Sequence, residues 1–150
     1  MKEICVDTGF LIGLYNPDDQ FYTKARDYFS NYFSGTANRL LVPWPILYET
    51  ISTRMASNKQ AMFRLENDWK RLAGRDRLRL LSDEPFRMGL VDDCFNDLRR
   101  PVGHHRSLSL VDRVIRKILL DTNIRIHAFV TFNPGDFADV CTTARREMLI

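Results

Sequence analysis

At 150 residues, with 45% apolar and 27% charged side chains, the chain has the size and composition of one domain with its own core, which excludes a disordered protein. The formal charge of +3 is only mildly basic, so any polyanion contact must come from local arginine clusters rather than from the whole surface. Cys5, Cys94 and Cys141 are odd in number, lack CxxC spacing and lie among apolar neighbours, which argues against a disulfide framework and a zinc site.

Glu3 to Val6 reads as a short apolar strand cut off by Asp7, too short for a signal peptide, and no later run approaches a membrane span; a cytoplasmic protein is expected. Thr8 can cap the helix that follows, in which Phe10, Leu11, Leu14 and Tyr15 recur at helical spacing until Asn16-Pro17. A second helix opens at Asp18-Asp19, with Phe21, Tyr22, Ala25, Tyr28, Phe29, Tyr32 and Phe33 inside and Gly35 ending it. Leu40 to Val42 is the next strand. Pro43 and Pro45 then bracket a turn into a helix with Ile46, Leu47, Ile51 and Met55 on one face. Another helix covers about Lys59 to Ala73, stopped by Gly74, and Leu78 to Leu81 is a third strand. Asp83-Glu84-Pro85 starts a helix that runs to Arg100-Pro101, and residues 101–107 form a loop. Ser107 or Ser109 caps a helix with Val111, Val114, Ile115, Ile118 and Leu119 inside; His127 to Val130 is a strand, and a weaker one is expected at Val140 to Thr142. Strand–helix alternation of this kind predicts an α/β fold, a three-layer α/β/α sandwich around a mainly parallel sheet of four to five strands, as one domain over residues 1–150.

Asp7-Thr8-Gly9 is also the signature of aspartic proteases, which are β-rich and need a second such aspartate. Here the one Asp-Thr-Gly precedes a helix in an α/β chain, which sets that chemistry aside. In an open parallel sheet, ligands bind outside the carboxyl ends of the strands. Asp7 ends the first strand, Glu49 lies one turn into the helix after the second, Asp112 stands in the first turn of LSLVDRVIRKILL, and Asn133 and Asp136 follow HAFV. Each has a plain explanation: Asp7 as a helix cap, Glu49 reaching solvent, Asp112 favoured by the helix dipole, Asp136 as a turn residue. Carboxylates converging on one crevice would nevertheless repel each other, and a hard divalent cation with oxygen ligands would relieve that repulsion.

The ordered series VDTGFLIGLYN, LYETIS, SLSLVDRVIRKI and FVTFNPGDF resembles the PIN-domain nucleases, most closely the VapC-type toxins of bacterial toxin–antitoxin pairs, from residue 3 to about 140. The resemblance implies that Asp7, Glu49 and Asp112 are metal-binding catalytic acids, with Asp136 as a further acid. Thr8, Thr131 and Asn133 would stand in support. It also implies one or two Mg2+ or Mn2+ ions, an RNA substrate cut by hydrolysis, and a cognate antitoxin protein. Asn133 departs from a fully acidic pattern. That leaves Asp136 to supply the charge, or a weakly held second metal, and it keeps open a non-catalytic PIN-like module that binds RNA or protein. A haloacid-dehalogenase-type phosphatase also begins with an aspartate after its first strand, but resembles a pattern with a second aspartate where this chain has Gly9.

Arginine clusters supply candidate RNA backbone contacts: Arg75, Arg77, Arg99, Arg100, Arg106, Arg113 and Arg116, with His104 and His105 nearby. The aromatic helix near residues 18–33 carries enough rings to suggest, beyond core packing, a homodimer face or a groove for a partner helix.

Overall fold

The computed structural model describes residues 1–99 and 107–150. Five strands, β1 (Glu3–Val6), β2 (Arg39–Pro43), β3 (Leu78–Leu81), β4 (Ala128–Val130) and β5 (Glu147–Leu149), form one sheet in the order β3-β2-β1-β4-β5. Every neighbouring pair is parallel. β1 is the middle strand and all four of its residues are buried, as expected of a strand covered on both faces.

Helix α1 (Thr8–Tyr15) leaves β1 and buries Phe10, Leu11, Leu14 and Tyr15, because α2 (Tyr22–Tyr32), α3 (Trp44–Thr50) and α5 (Lys59–Ala73) all pack on it. Gly13 permits the close approach of α2: a Cβ there would meet those of Ala25 and Phe21 at 3.4 Å. The opposite group is built on α7 (Leu110–Leu120), whose Val114, Ile115, Ile118 and Leu119 are buried, with α6 (Leu90–Asp97) and α8 (Ala138–Thr143) against it. The three-layer α/β/α arrangement is as expected. Phe10, Phe33, Phe129 and Phe137 are the largest fully buried side chains, each contributing about 2–3 kcal/mol by leaving water.

Several boundaries differ from the sequence reading. The helix expected to reach Met55 stops at Ile51, and Met55 belongs to a separate turn of helix, α4 (Thr53–Ala56). The helix expected from Asp83 is a 3-10 turn over Glu84–Phe86, broken at Gly89, whose φ of +78° a side chain would strain, before α6 begins. Val140 to Thr142 is not a strand but lies in α8, where Phe137, Val140 and Cys141 are buried at helical spacing, and the last strand is β5. The rings of α2 turn largely inward. Phe29 and Phe33 are buried, while Phe21 and Tyr28 stack on Phe132 with centroids 4.6 and 6.2 Å away. Among the described residues no helix is long and apolar enough to cross a membrane.

Candidate active site

The strand order reverses between β1 and β4, and a crevice forms where such strands end. Asp7 continues β1 into that crevice, its N–H donating to Val130 O at 3.0 Å. It is also the N-cap of α1: the Thr8 N–H donates to Asp7 Oδ1 at 2.8 Å, so the capping role falls to Asp7 rather than to Thr8. On the other side, the buried Thr131 hydroxyl donates to Asp7 Oδ2 at 3.0 Å, and Thr131 Oγ1 itself accepts from the Asn133 N–H at 3.0 Å. The plain and functional readings of Asp7 are therefore compatible, since capping holds the carboxylate at the mouth of the crevice.

Thr8 spends its hydroxyl on Glu49 Oε2 at 2.5 Å, which joins α1 to α3 and draws the exposed Glu49 to the residue next to Asp7. Ser109 caps α7, accepting from the Asp112 N–H at 3.0 Å, and sets the half-buried Asp112 in the first turn. Burial pushes the Asp7 carboxyl up to about 6. The Thr8 and Thr131 hydrogen bonds oppose that rise, and the charges of Asp112 and Glu49 add to it. Asp7, Glu49 and Asp112 thus share one electrostatic neighbourhood.

Asp136 is buried at the end of a 3-10 turn, Pro134–Asp136, and its Oδ2 accepts from Asn133 Nδ2 at 2.5 Å. Among the described residues, no three His, Cys, Asp or Glu side chains form a ready cage for a metal ion. The donor chemistry still fits magnesium or manganese. Mg2+ is commonly held by one or two carboxylates with waters and phosphate oxygens completing its shell, and the Asp7 carboxylate at the crevice mouth, with Asp112 and Glu49 as its acidic neighbours, is the kind of oxygen donor such an ion takes.

The arginines separate by place. Arg75 and Arg77 precede β3, beside the amino ends of the strands and at the opposite edge from Asp7. Arg77 also donates to the carbonyls of Asn38 (2.9 Å) and Phe33, which is a structural tie. Arg113 is bound to Asp97 and to Leu108 O, fastening α7 to α6. Arg116 grips Asp139 through both terminal nitrogens at 2.6 Å. Arg99 is exposed, and Arg100, His104, His105 and Arg106 lie outside the described residues.

One feature escaped the sequence reading. A groove of about 470 Å³ beside Glu49 is lined by Tyr48, Arg87, Leu90, Leu110 and Val111, with Arg87 bridged to Asp83 at 2.9 Å. The Asp83/Arg87 spacing of four residues was a usable signal; the exposure of Tyr48 was not, because LYETIS reads as core.

No protein-family model and no curated protein sequence matches the chain. Among solved structures it is similar to Mycobacterium tuberculosis VapC20, described as a sarcin-ricin loop cleaving toxin, at 18% identity and a TM-score of 0.60. The match covers 91% of this chain and 94% of that one. The parallel five-stranded sheet, the helical layers and this likeness together give the chain the same fold as VapC20.

Proposed function

We propose that the protein is a Mg2+- or Mn2+-dependent endoribonuclease that hydrolyses RNA phosphodiester bonds, acting in the cytoplasm as the toxin of a toxin–antitoxin pair. One observation carries the reading: Asp7 is buried at the switch point of the sheet and raised to about 6, with Asp112 and Glu49 adding to that rise. The fold shared with VapC20, itself described as an RNA-loop-cleaving toxin, supports it.

Asp7, Asp112 and Glu49 would hold the cation, which supplies positive charge against the scissile phosphate and its leaving oxygen. Thr131 and the Thr8 N–H fix the two oxygens of Asp7, so the carboxylate needs no reorganisation when substrate arrives. Glu49, exposed and steadied by Thr8, orients the attacking water and accepts its proton. Arg99, which is exposed, contacts the RNA backbone in place of the structurally tied Arg77, Arg87, Arg113 and Arg116.

Tyr48, Val91, Phe95, Leu98 and Leu110 are between 44% and 84% exposed on and beside α3, α6 and α7, an apolar concentration that a second copy of the chain would cover. An antitoxin chain is the further partner. Asn133 and the lack of a ready three-sided cage among the described residues favour, as a second reading, a PIN-like module that binds without cutting.

The deciding experiment incubates single-stranded RNA and transfer RNA with the protein and Mn2+, comparing wild type with Asp7→Asn. Cleavage by wild type alone is expected. Intact RNA in both reactions, with RNA retained in a gel-shift assay, would establish the binding module instead.

A further inference from the structure

The groove beside Glu49 stands on the carboxyl-end side of the sheet. Tyr48 and Glu49 reach it from α3, which starts directly after β2 ends at Pro43. Asp83 and Arg87 follow the end of β3, and Leu110, Val111 and Val114 come from the first turns of α7. Hydrogen bonds connect the groove to Asp7: the Thr8 hydroxyl donates to Glu49 Oε2 at 2.5 Å, and the Thr8 N–H donates to Asp7 Oδ1 at 2.8 Å. A molecule held in the groove is therefore held beside the candidate active site.

The walls restrict what fits. The volume, about 470 Å³, is that of a small-ligand site. Tyr48 is 70% exposed and its ring is braced by Trp44, with centroids 5.8 Å apart, so an aromatic face is offered to solvent at the rim. Arg87 donates from Nε and Nη2 to the two oxygens of Asp83, both at 2.9 Å, which fixes the guanidinium plane. Its remaining N–H groups, on Nη1 and the far side of Nη2, make no hydrogen bond to the described residues and form a second fork in that plane. A phosphate in the groove is opposed by the carboxylates of Glu49 and Asp83, and the apolar face of a partner helix leaves that fork unpaired. A nucleobase meets both demands, because its flat faces stack on aromatic rings and its edge carries acceptors. Guanine presents two acceptors, O6 and N7, to an arginine fork, whereas adenine presents a donor beside its acceptor.

We propose that the groove is a base-binding subsite, in which one unpaired guanine of the RNA strand stacks on Tyr48 and is read by the open fork of Arg87. Tyr48 and Arg87 are then specificity-determining residues, and the substrate is single-stranded at that position. Phe95 and Leu98 do not line the groove, so a second copy covers those two and leaves the groove to the strand. The proposal rests on RNA as the ligand of the nuclease reading, but binding without metal tests it apart from cleavage.

The experiment is fluorescence anisotropy of labelled uridine ribohexamers carrying one guanine, one adenine or one abasic site, in EDTA at a fixed low salt concentration. Wild type is expected to bind the guanine strand several-fold more tightly than the other two. Tyr48→Ala, at an exposed position, weakens guanine-strand binding roughly tenfold, and Tyr48→Phe, which keeps the ring, stays within about twofold of wild type. Arg87→Lys brings the guanine strand down to the affinity of the adenine strand. Equal binding of the three strands by wild type, or unchanged affinity in Tyr48→Ala, overturns the proposal and leaves the nuclease reading standing. A changed mass for Tyr48→Ala in light scattering, with RNA affinity unchanged, overturns it in favour of a second copy in the groove. Should Arg87→Lys fail to fold, the strand series and the two Tyr48 variants decide it. Wild type that binds none of the strands overturns the subsite, and RNA left intact with Mn2+ then overturns the nuclease reading as well.

Discussion

The hydroxyl of Thr131 donates to Asp7 Oδ2 at 3.0 Å, joining the ends of β4 and β1 across the reversal in strand order. Thr131 is fully buried and its oxygen also accepts the Asn133 N–H, so its proton is directed at Asp7. Thr131→Val keeps the shape and removes the donor. Because this bond lowers the Asp7 pKa, its loss moves that pKa further above about 6. In a pH–rate profile of RNA cleavage, the acid limb shifts to higher pH and the rate below neutrality falls several-fold. An unmoved limb would mean that Thr131 does not tune Asp7.

Asp7 also makes the metal-free fold sensitive to pH. Its folded value of about 6 lies above the ordinary 3.8, so the native state binds the proton more tightly than the unfolded chain. Stability therefore falls as pH rises through the interval between these values, by about 3 kcal/mol in all. Asp7→Asn removes this cost and retains a side-chain oxygen able to cap α1. Without metal, the variant should melt several degrees above wild type at pH 7.5 and close to it near pH 4. Mn2+ should raise the wild-type melting temperature and leave the variant's unchanged.

Arg146 fastens the far side of the sheet. Its guanidinium donates to the carbonyls of Leu119, Asp121, Ile124 and Ile126 at 2.7 to 3.2 Å, tying the end of α7 and the approach to β4 to the start of β5. A lysine offers a point charge without the planar fork. Arg146→Lys should lower unfolding free energy by about 3 kcal/mol in urea titrations, since several carbonyls lose their partner. A loss below about 0.5 kcal/mol would show that water replaces the fork without cost.

The exposed apolar side chains of α6 give a test of self-association. Val91 and Phe95 are 50% and 53% exposed, so replacing both with aspartate costs the monomer little. Light scattering should report a wild-type dimer at micromolar concentration and a monomer for the double variant. A monomeric wild type would remove the second copy from the assembly.

The sequence carried the strands well where burial on both faces makes a continuous apolar run. Glu3–Val6 and the Leu40 to Val42 run of Arg39–Pro43 stand where expected. It carried them poorly where three apolar or β-branched residues suit either period: Val140 to Thr142 is helical, and the edge strand Glu147–Leu149 is too polar to announce itself. The positions of Asp7, Glu49 and Asp112 were legible because strand ends and first helical turns can be read locally. The arginines were not. Arg77 and Arg99 look alike in a charge count, but the carbonyl of Phe33 that binds Arg77 lies 44 residues away, and only the folded chain decides which guanidinium is spent.

The central place of β1 has a consequence for the order of synthesis. The carboxylate at position 7 leaves the ribosome among the first residues, yet the hydroxyl that orients it arrives 124 residues later. Until β4 docks, Asp7 is an ordinary solvated side chain at the end of a half-covered strand. A prematurely terminated polypeptide therefore carries the first acid without the walls that give it an unusual character.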